Sequence, residues 1–366
     1  MIEIDGSQGE GGGQVLRTSL TLSLLTGQPF RIVRIRAGRE VPGLRPQHLV
    51  CVRAAARISR AAVEGDREGS QSLTFSPGPV TPGAYEFRIA TAGALTLVLQ
   101  TVLLPLLHAR GPSPITLTGG THVPWSPTID YVERVFLPSI EAAGYPPVPI
   151  EVLSAGYYPK GGGEVKLAVP EWSPASAQPL VREARGRVVR VRGVSNVSSL
   201  PPHVSDRQAG RAEARLQKMG VPFEVERAFT SSRQPGTSLL LVAETEHGPI
   251  GASALGQKGK PAERVADEAC DELARILALD GAVDAHLADQ LVLPLALVDG
   301  ESSYTTTEVT GHLLTNFDVV RAFLPAELSV QRLEGAPGPQ AASGPQAAPA
   351  REGVPGRVVV RGRGLP

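Results

Sequence analysis

The residues best suited to chemistry lie near the two ends of the chain. His312 stands in Thr-Gly-His-Leu-Leu-Thr-Asn (310–316), between a β-rich run and a predicted helix. An imidazole nitrogen can attack phosphorus and carry a phosphoryl or nucleotidyl group, which divides one hard transfer into two easier ones. A turn histidine with a structural role is the commoner case, so this position alone does not decide between the two. No Ser-His-Asp or Cys-His arrangement competes with it.

A glycine-rich turn near the amino end has the form of an anion site. Gly-Glu-Gly-Gly-Gly (9–13) follows a short strand containing Ile2 and Ile4, and it precedes a predicted helix over 14–26. Backbone N–H groups at such a helix start attract phosphate, and an acid such as Glu10 beside them suits a divalent cation. The spacing matches neither a P-loop nor a dinucleotide-binding fingerprint, and a tight turn without a ligand explains it about equally well.

A polar cluster surrounds the next turn of the chain. Guanidinium groups bind phosphate oxygens in pairs, so the cluster would suit contacts to a phosphate backbone. A solvated loop is the simpler interpretation, and the residues alone modestly favour it. The members are Arg34, Arg36, Arg39, Arg45, Gln47 and His48.

The composition restricts the class of protein. The 366 residues include 36 Lys+Arg and 36 Asp+Glu, and zero net charge excludes a polycation that holds nucleic acid by bulk attraction. The two cysteines, Cys51 and Cys270, give neither a disulfide framework nor a zinc pattern. No signal-peptide pattern opens the chain, and polar residues interrupt the apolar stretch 92–109, which predicts a buried helix rather than a membrane span. We expect a cytoplasmic protein of roughly two domains.

The elements that would position these residues alternate along the first half of the chain. Short β-branched runs predict strands, and apolar residues at helical spacing predict helices. Helices that recur between strands indicate an α/β or α+β fold in which helices cover the sheets. The predicted strands are 30–36, 85–89 and 115–118, and the predicted helices are 47–62, 92–109 and 129–143.

The second half contains a block with secondary structure of its own. Residues 170–184 are rich in Pro, Ala and Ser and predict a linker. The block 185–279 that follows has its own predicted strands and helices, enough for an inserted domain. A predicted helix over 280–290 then leads into an apolar run, 291–298.

Two further patterns concern the tail and the glycines. Residues 335–355 are rich in Gly, Pro, Ala and Gln and predict a flexible segment, and 356–366 contain a candidate terminal strand. A Gly triplet at 161–163 echoes the triplet at 11–13 before a valine. The echo fits either a structural repeat or chance in a glycine-rich chain.

Seven blocks, in order over about residues 1–333, resemble RNA 3′-terminal phosphate cyclases. No single block is decisive, whereas seven in one order are a specific signal. The blocks are Gly-Glu-Gly-Gly-Gly-Gln-Val-Leu-Arg (9–17); Arg-Ala-Gly-Arg (36–39) with Pro-Gly-Leu (42–44) and Gln-His-Leu (47–49); Leu-Val-Leu-Gln-Thr (97–101); Gly-Gly-Thr (119–121); Tyr-Pro-x-Gly-Gly-Gly (158–163); Ala-Asp-Gln-Leu (288–291); and His-Leu-Leu-Thr-Asn (312–316).

The resemblance implies a fold and an activity. The fold would be a large domain of three repeated βαβαββ units, each a four-stranded sheet with two helices, over 1–184 and 280–334. A smaller α/β domain, 185–279, would be inserted after the third unit. The activity would be ATP-dependent conversion of an RNA 3′-phosphate to a 2′,3′-cyclic phosphodiester, through an enzyme-histidyl-AMP and an RNA-(3′)pp(5′)A intermediate. ATP and a divalent metal (Mg²⁺ or Mn²⁺) would be required, and a homodimer remains open.

The resemblance also assigns roles to residues. His312 matches the nucleophile that takes AMP from ATP, and Glu10 matches the position that engages the metal. His286 departs from the tyrosine expected beside the adenine, which leaves that stacking contact open. The nucleotide pocket would contain Gln100, Pro127, His286, Leu287, Ala288, Asp289 and Gln290. The phosphate- and RNA-binding surface would contain Arg17, Arg36, Arg39, Gln47 and His48.

Three other functions are weighed against this one. A non-catalytic relative that binds RNA in ribosome assembly would lack the nucleophile, which His312 together with Glu10 and Gln100 argues against. An enolpyruvyl transferase of related architecture would show a Lys/Arg-rich pocket for a small anion, and the first 159 residues contain no lysine. Adenylation of polynucleotide ends as the main activity cannot be separated from cyclisation by sequence.

Overall fold

The computed structural model describes residues 1–9, 11–333 and 353–365. The metal prediction on Glu10 and most of the predicted flexible segment 335–355 lie outside these residues. Within the described part, helices alternate with four sheets of four strands each. None of the described helices has the length and apolar character needed to cross a membrane.

The first βαβαββ unit runs from Ile2 to Ser76. Its first two strands are parallel and its last two join antiparallel, in the order β1-β2-β4-β3. Alternate residues such as Phe30, Ile32 and Phe75 are buried, as expected for strands covered on one face. The elements are β1 (Ile2–Asp5), α1 (Gly13–Thr26), β2 (Phe30–Val33), α2 (Pro46–Ser59), β3 (Ala62–Glu64) and β4 (Leu73–Ser76).

The second unit repeats this order of elements, with the sheet order β5-β6-β8-β7. Its second helix is assembled from two short α-helical pieces joined by a π-helical turn, Val132–Phe136. The elements are β5 (Tyr85–Arg88), α3 (Leu95–His108), β6 (Ser113–Gly119), α4 (Ile129–Tyr131), α5 (Leu137–Glu141), β7 (Ile150–Ser154) and β8 (Gly163–Val169).

The insert, residues 185–279, follows strand β9 (Val181–Arg182). It forms a separate four-stranded sheet with the order β11-β10-β12-β13, and helices α6 and α7 pack on each other. Its core is its own and includes Val191, Leu241 and Leu273. The elements are β10 (Val188–Ser198), α6 (His203–Leu216), β11 (Phe223–Phe229), β12 (Gly236–Thr245), β13 (Gly248–Leu255) and α7 (Ala262–Ala278).

The third unit resumes after the insert and completes a sheet with the order β15-β16-β14-β9. The insertion therefore interrupts the third unit after its first strand, and the expectation of an insert after the whole unit is wrong. The α/β fold with three repeated units and a smaller α/β insert is confirmed. The remaining elements are α8 (Ala285–Ala296), β14 (Asp299–Thr306), α9 (Gly311–Phe323), β15 (Glu327–Arg332) and β16 (Gly356–Arg363).

Helices from all three units share one large core. Helix α1 packs against α2, α3 and α9, and α8 packs against α9. Because helices surround it, α3 buries residues on nearly every face, including Leu95, Leu99 and Leu106. The prediction that the apolar stretch forms a buried helix is confirmed, and this packing brings the amino-terminal ends of α1 and α9 together.

Three details of the sequence interpretation change. The segment 170–184 is not only a linker, because it supplies β9. The glycines at 11–13 lead into a helix and those at 161–163 into strand β8, so they do not occupy equivalent positions in the repeat. The helix expected over 280–290 begins at Ala285 and runs on through most of the apolar stretch to Ala296.

Candidate functional site

A cavity of about 570 Å³ lies where the three units and the insert meet. Its volume is within the range of pockets that hold small-molecule ligands. The wall is formed by residues of helices α1, α3, α8 and α9, of α4 and the segment before it, and of β13 and α7 in the insert. Those used below are Gln14, Arg17, Gln100, Trp125, Pro127, Tyr131, Gly251, Ser253, Glu272, His286, Asp289, Gln290, His312 and Asn316.

The His312 imidazole is half-buried at this wall, in the first turn of α9. Its Nδ1 lies 2.6 Å from Oε1 of Gln14, in the first turn of α1. An amide oxygen only accepts hydrogen bonds, so Nδ1 carries the proton in a neutral imidazole. The lone pair is then on Nε2, as a nucleophile requires.

Asn316 ties together the helices that hold this histidine. Its amide Nδ2 donates to the carbonyl of Asp289 on α8 at 2.9 Å, and its Oδ1 accepts from the hydroxyl of Thr18 on α1 at 2.9 Å. One side chain on α9 therefore fixes the spacing of α1, α8 and α9 directly behind His312.

The residues predicted for the nucleotide pocket separate into two groups. Gln100, Pro127, His286, Asp289 and Gln290 line the cavity together with His312. The structure does not place Leu287 and Ala288 at the cavity. Leu287 and Ala288 are completely buried in the hydrophobic core, and the carbonyl of Ala288 accepts from the Tyr304 hydroxyl at 2.6 Å. They support α8 instead of facing a ligand.

Asp284 anchors the start of helix α8. One carboxylate oxygen accepts from the backbone N–H groups of His286 and Leu287 at 3.1 and 2.9 Å, which caps the helix. The same oxygen accepts from the Tyr131 hydroxyl at 2.7 Å, and the other accepts from the N–H of Gly251 in the insert at 3.2 Å. Burial, together with this carboxylate, raises the pKa of Tyr131 well above its usual value, so the phenol stays a donor.

A positively charged recess lies beside the start of α1. A Cβ placed on Gly13 would lie 2.4 Å from Nε2 of His48 and 2.9 Å from a guanidinium nitrogen of Arg17. A Cβ placed on Gly12 would lie 3.4 Å from a guanidinium nitrogen of Arg39. Three predicted phosphate ligands thus converge on one glycine-lined helix start, where backbone N–H groups also favour an anion.

His48 is a neutral donor in this recess. Its Nδ1 accepts from the backbone N–H of Arg45 at 3.1 Å, so the proton is on Nε2, towards Gly13. Burial, with Arg17, Arg36 and Arg45 nearby, lowers the pKa of His48 to about 3. The recess therefore keeps the same charge across the physiological pH range.

The other members of the polar cluster serve the surrounding structure. Arg36 donates to the carbonyls of Val41 and Gly43 at 2.8 and 3.1 Å, and so braces the turn. Arg34 pairs with Asp5. Gln47 is half-buried against Gly93, at the edge of the recess. The structure therefore brings Arg17, Arg39 and His48 together, with Gln47 beside them and Arg36 behind the turn.

The depressed pKa of His48 predicts a dependence of stability on pH. In the unfolded chain this imidazole takes a proton below about pH 6.5, whereas the folded state accepts it only near pH 3. The neutral histidine thus favours the folded state fully above pH 6.5, and stability falls as the pH drops below that value. Between pH 7 and pH 5 the free energy of unfolding of the wild-type protein should fall by about 2 kcal/mol more than that of His48→Gln, as measured by urea unfolding. Parallel losses in both proteins would contradict the assignment.

Several cavity residues were not predicted from the sequence. Gln14 lies inside a quoted block, but nothing in its spacing indicates a partner for His312. Ser253 and Glu272 come from the insert, which sequence reasoning treated as a separate body. Trp125 lies at the rim with 94% of its surface exposed and a positive φ of 61°, which no sequence pattern indicates.

Comparison with known proteins decides the family. A family model described as RNA 3′-terminal phosphate cyclase matches residues 8–330. The chain belongs to the RNA 3′-terminal phosphate cyclase family. The matched range contains the glycine-rich turn and His312.

Curated members of the cyclase family are similar to this chain over most of its length. The chain is similar to the RNA 3′-terminal phosphate cyclase of Caldivirga maquilingensis, with 46% identity over 337 residues that cover 90% of this chain and 94% of the relative. The enzyme of the same name from Archaeoglobus fulgidus is 47% identical over 324 residues, covering 88% and 96%. That from Nostoc punctiforme is 44% identical over 341 residues, covering 91% and 97%. The resemblance found in the sequence is confirmed.

Proposed function

We propose that this protein converts an RNA 3′-terminal phosphate to a 2′,3′-cyclic phosphodiester with ATP as the energy source. The observation that carries the proposal is the pairing of His312 Nδ1 with Gln14 Oε1, which leaves Nε2 unprotonated at a nucleotide-sized cavity. The phosphate recess formed by Arg17, Arg39 and His48 begins at the same helix, α1. Family membership supports the same activity.

In the first step, Nε2 of His312 attacks the α-phosphorus of ATP. A P–N bond forms, the bond to the pyrophosphate oxygen breaks, and pyrophosphate leaves. The ring then carries a positive charge that it shares with the Nδ1–H group, and the Gln14 oxygen stabilises that charge by accepting the hydrogen bond. Pro127 and His286, which line the cavity, would contact the adenine.

In the second and third steps, the adenylyl group activates the RNA end. An oxygen of the 3′-phosphate attacks the AMP phosphorus, forms a phosphoanhydride and releases the neutral imidazole. The 2′-hydroxyl then attacks the 3′-phosphorus and gives its proton to water, and the phosphoanhydride P–O bond breaks so that AMP leaves. Arg17, Arg39 and the Nε2–H of His48 would hold the phosphate oxygens during both steps.

We also propose that a divalent cation accompanies ATP, with Glu10 as its protein ligand. The ATP phosphates would provide further ligands. A cation there would neutralise phosphate charge. Removal of divalent ions by EDTA, and the variant Glu10→Gln, should both slow adenylation. A homodimer and a cytoplasmic location remain predictions, to be tested by light scattering and by fractionation.

The alternatives make different products. A non-catalytic RNA-binding relative would form no covalent adduct and no cyclic end. An enzyme whose main activity is end adenylation would accumulate capped RNA in place of the cycle. The test is to incubate the protein with ATP and an RNA labelled in its 3′-phosphate, and then to treat the RNA with phosphatase. Label that becomes resistant to phosphatase, with AMP released, supports cyclisation; label that stays sensitive overturns it.

Gln14 is predicted to act as a positioning residue. Gln14→Ala should lower the rate constant of self-adenylation by about 10- to 100-fold, because His312 loses the acceptor that fixes its tautomer. The KM for ATP should change little. Gln14→Glu keeps an acceptor oxygen and should retain most of the rate. Single-turnover adenylation measures both variants, and a Glu variant as slow as the Ala variant would contradict the role.

A further inference from the structure

Arg233 differs from the other arginines of the insert. In the described structure those others donate to carboxylates or to backbone carbonyls, for example Arg207 to Glu263. The exposed guanidinium of Arg233 has no ion pair and no hydrogen bond among the described residues. Since the insert pairs its surface arginines so thoroughly, this cation is available to an outside anion.

The loop that carries Arg233 is fixed to the large domain. The carbonyl of Ser231 accepts from the N–H of Ala155 at 2.7 Å, and the Ser231 hydroxyl donates to the carbonyl of Leu153 at 3.1 Å. The amide of Gln234 donates to the carbonyl of Tyr157. Arg233 is thereby held against the loop between β7 and β8, where a Cβ on Gly162 would lie 3.3 Å from its Cδ.

That neighbouring loop exposes two further groups of the kind that bind nucleic acid. Tyr158 has 67% of its surface exposed. Lys160 is also exposed and has no carboxylate partner among the described residues. An aromatic ring and two cations without carboxylate partners in the described part of the chain match the combination of base stacking and phosphate contact used for single strands. We refer to Tyr158, Lys160 and Arg233 as the upstream strip.

The upstream strip is continuous with the phosphate recess. A Cβ on Gly161 would lie 2.9 Å from Cα of Ala92, and one on Gly93 would lie 3.0 Å from Cβ of Gln47. Gln47 precedes His48 in the chain. Each link is a close contact or a single peptide unit, so a short series of neighbouring residues connects the recess to Arg233, through the half-buried Gly93 and Gly162 and the buried Gly161.

We propose that the upstream strip binds the single-stranded RNA segment that precedes the 3′ end. This inference rests on the proposed function, since it takes the recess as the position of the terminal phosphate. A strand whose end lies in the recess must leave along an exposed surface, and its phosphates need cations. The strip supplies them next to the recess, and Tyr158 offers a face on which any base can stack. The site would therefore favour longer single strands without reading their sequence.

The test compares RNA of two lengths, each with a 3′-phosphate and a fluorescent 5′ end, in the absence of ATP. Arg233→Ala and Lys160→Ala should each weaken binding of a longer single strand about fivefold at about 0.1 M salt. Each should also reduce the dependence of log affinity on log salt by about 0.7, the value for one phosphate of a single strand. Binding of a dinucleotide and the rate of self-adenylation should not change.

Lys218→Ala is the matched control, because it removes one exposed charge of the insert that lies outside the strip and has no carboxylate partner within the described structure. The inference is overturned if Arg233→Ala and Lys160→Ala bind the longer strand with the same affinity as Lys218→Ala. It is also overturned if the wild-type protein binds both lengths equally well. If Arg233→Ala lost the same affinity for both lengths, Arg233 would contact the terminal phosphate, and the inference would also be overturned. Because binding is measured without ATP, failure of self-adenylation would count against the proposed function and not against the strip.

Discussion

Replacing His312 by alanine is expected to abolish the transfer of label from α-labelled ATP to the protein. In the proposed mechanism AMP is held only by a P–N bond to this imidazole. Without the ring no covalent adduct can form, and the rate of adduct formation should fall more than about 10³-fold. The measurement is denaturing gel electrophoresis after incubation with labelled ATP and a divalent metal. The wild-type adduct should be labile in acid and stable in base, as a P–N bond is.

The control for this variant is another histidine. His203 is exposed at the start of α6 in the insert and does not line the cavity. His203→Ala should keep the full signal, and circular dichroism should show that His312→Ala remains folded. Label that survives in His312→Ala, or a wild-type protein that takes up no label, would refute the mechanism.

Replacing Asp284 by alanine is expected to lower the free energy of unfolding by about 3–5 kcal/mol. This completely buried carboxylate satisfies two N–H groups of α8, the hydroxyl of Tyr131 and the N–H of Gly251. Its removal would leave these donors buried without an acceptor. Since α8 carries His286 and Asp289, the affinity for ATP should fall as well. Urea unfolding and ATP binding measure the two effects.

Two control variants test whether the loss of stability comes from the hydrogen bonds of Asp284. Asp280→Ala removes an exposed carboxylate just ahead of Asp284 and should leave stability unchanged. Tyr131→Phe removes one donor and leaves the helix cap and the Gly251 contact in place, so it should cost much less than Asp284→Ala. An Asp284→Ala protein as stable as the Asp280→Ala control would show that these hydrogen bonds do not hold the site together.

Much of the fold could be predicted from local patterns in the sequence. The apolar stretch at 92–109 lies over helix α3, and the separate character of 185–279 is visible as a block with its own strands and helices. The boundary of α8 was missed because its start depends on Asp284, whose partners Tyr131 and Gly251 are distant in sequence. Periodicity alone extended that helix too far towards its amino end.

The candidate site was predictable where chemistry is carried by single residues in recognisable blocks. His312, Gln100 and Asp289 lie at one cavity as the resemblance implied. Leu287 and Ala288 were included because they are neighbours in the chain, although a helix turns such neighbours towards the core. Gln14 and Glu272 reach the cavity only through tertiary packing, which no spacing along the chain encodes.

The position of the insert constrains the order in which a newly made chain can fold. The first two units are complete in sequence before the insert begins, whereas the third must pair across it: the N–H of Leu180 donates to the hydroxyl of Ser302 over 122 positions. Strand β16, which follows β15 in the chain, lies between β14 and β15 in the finished sheet. Closing so long a loop is slow relative to local pairing. The helices that carry His286 and His312 are therefore supported only after residues 356–363 have been made, and a chain that stops short of them would lack the assembled site.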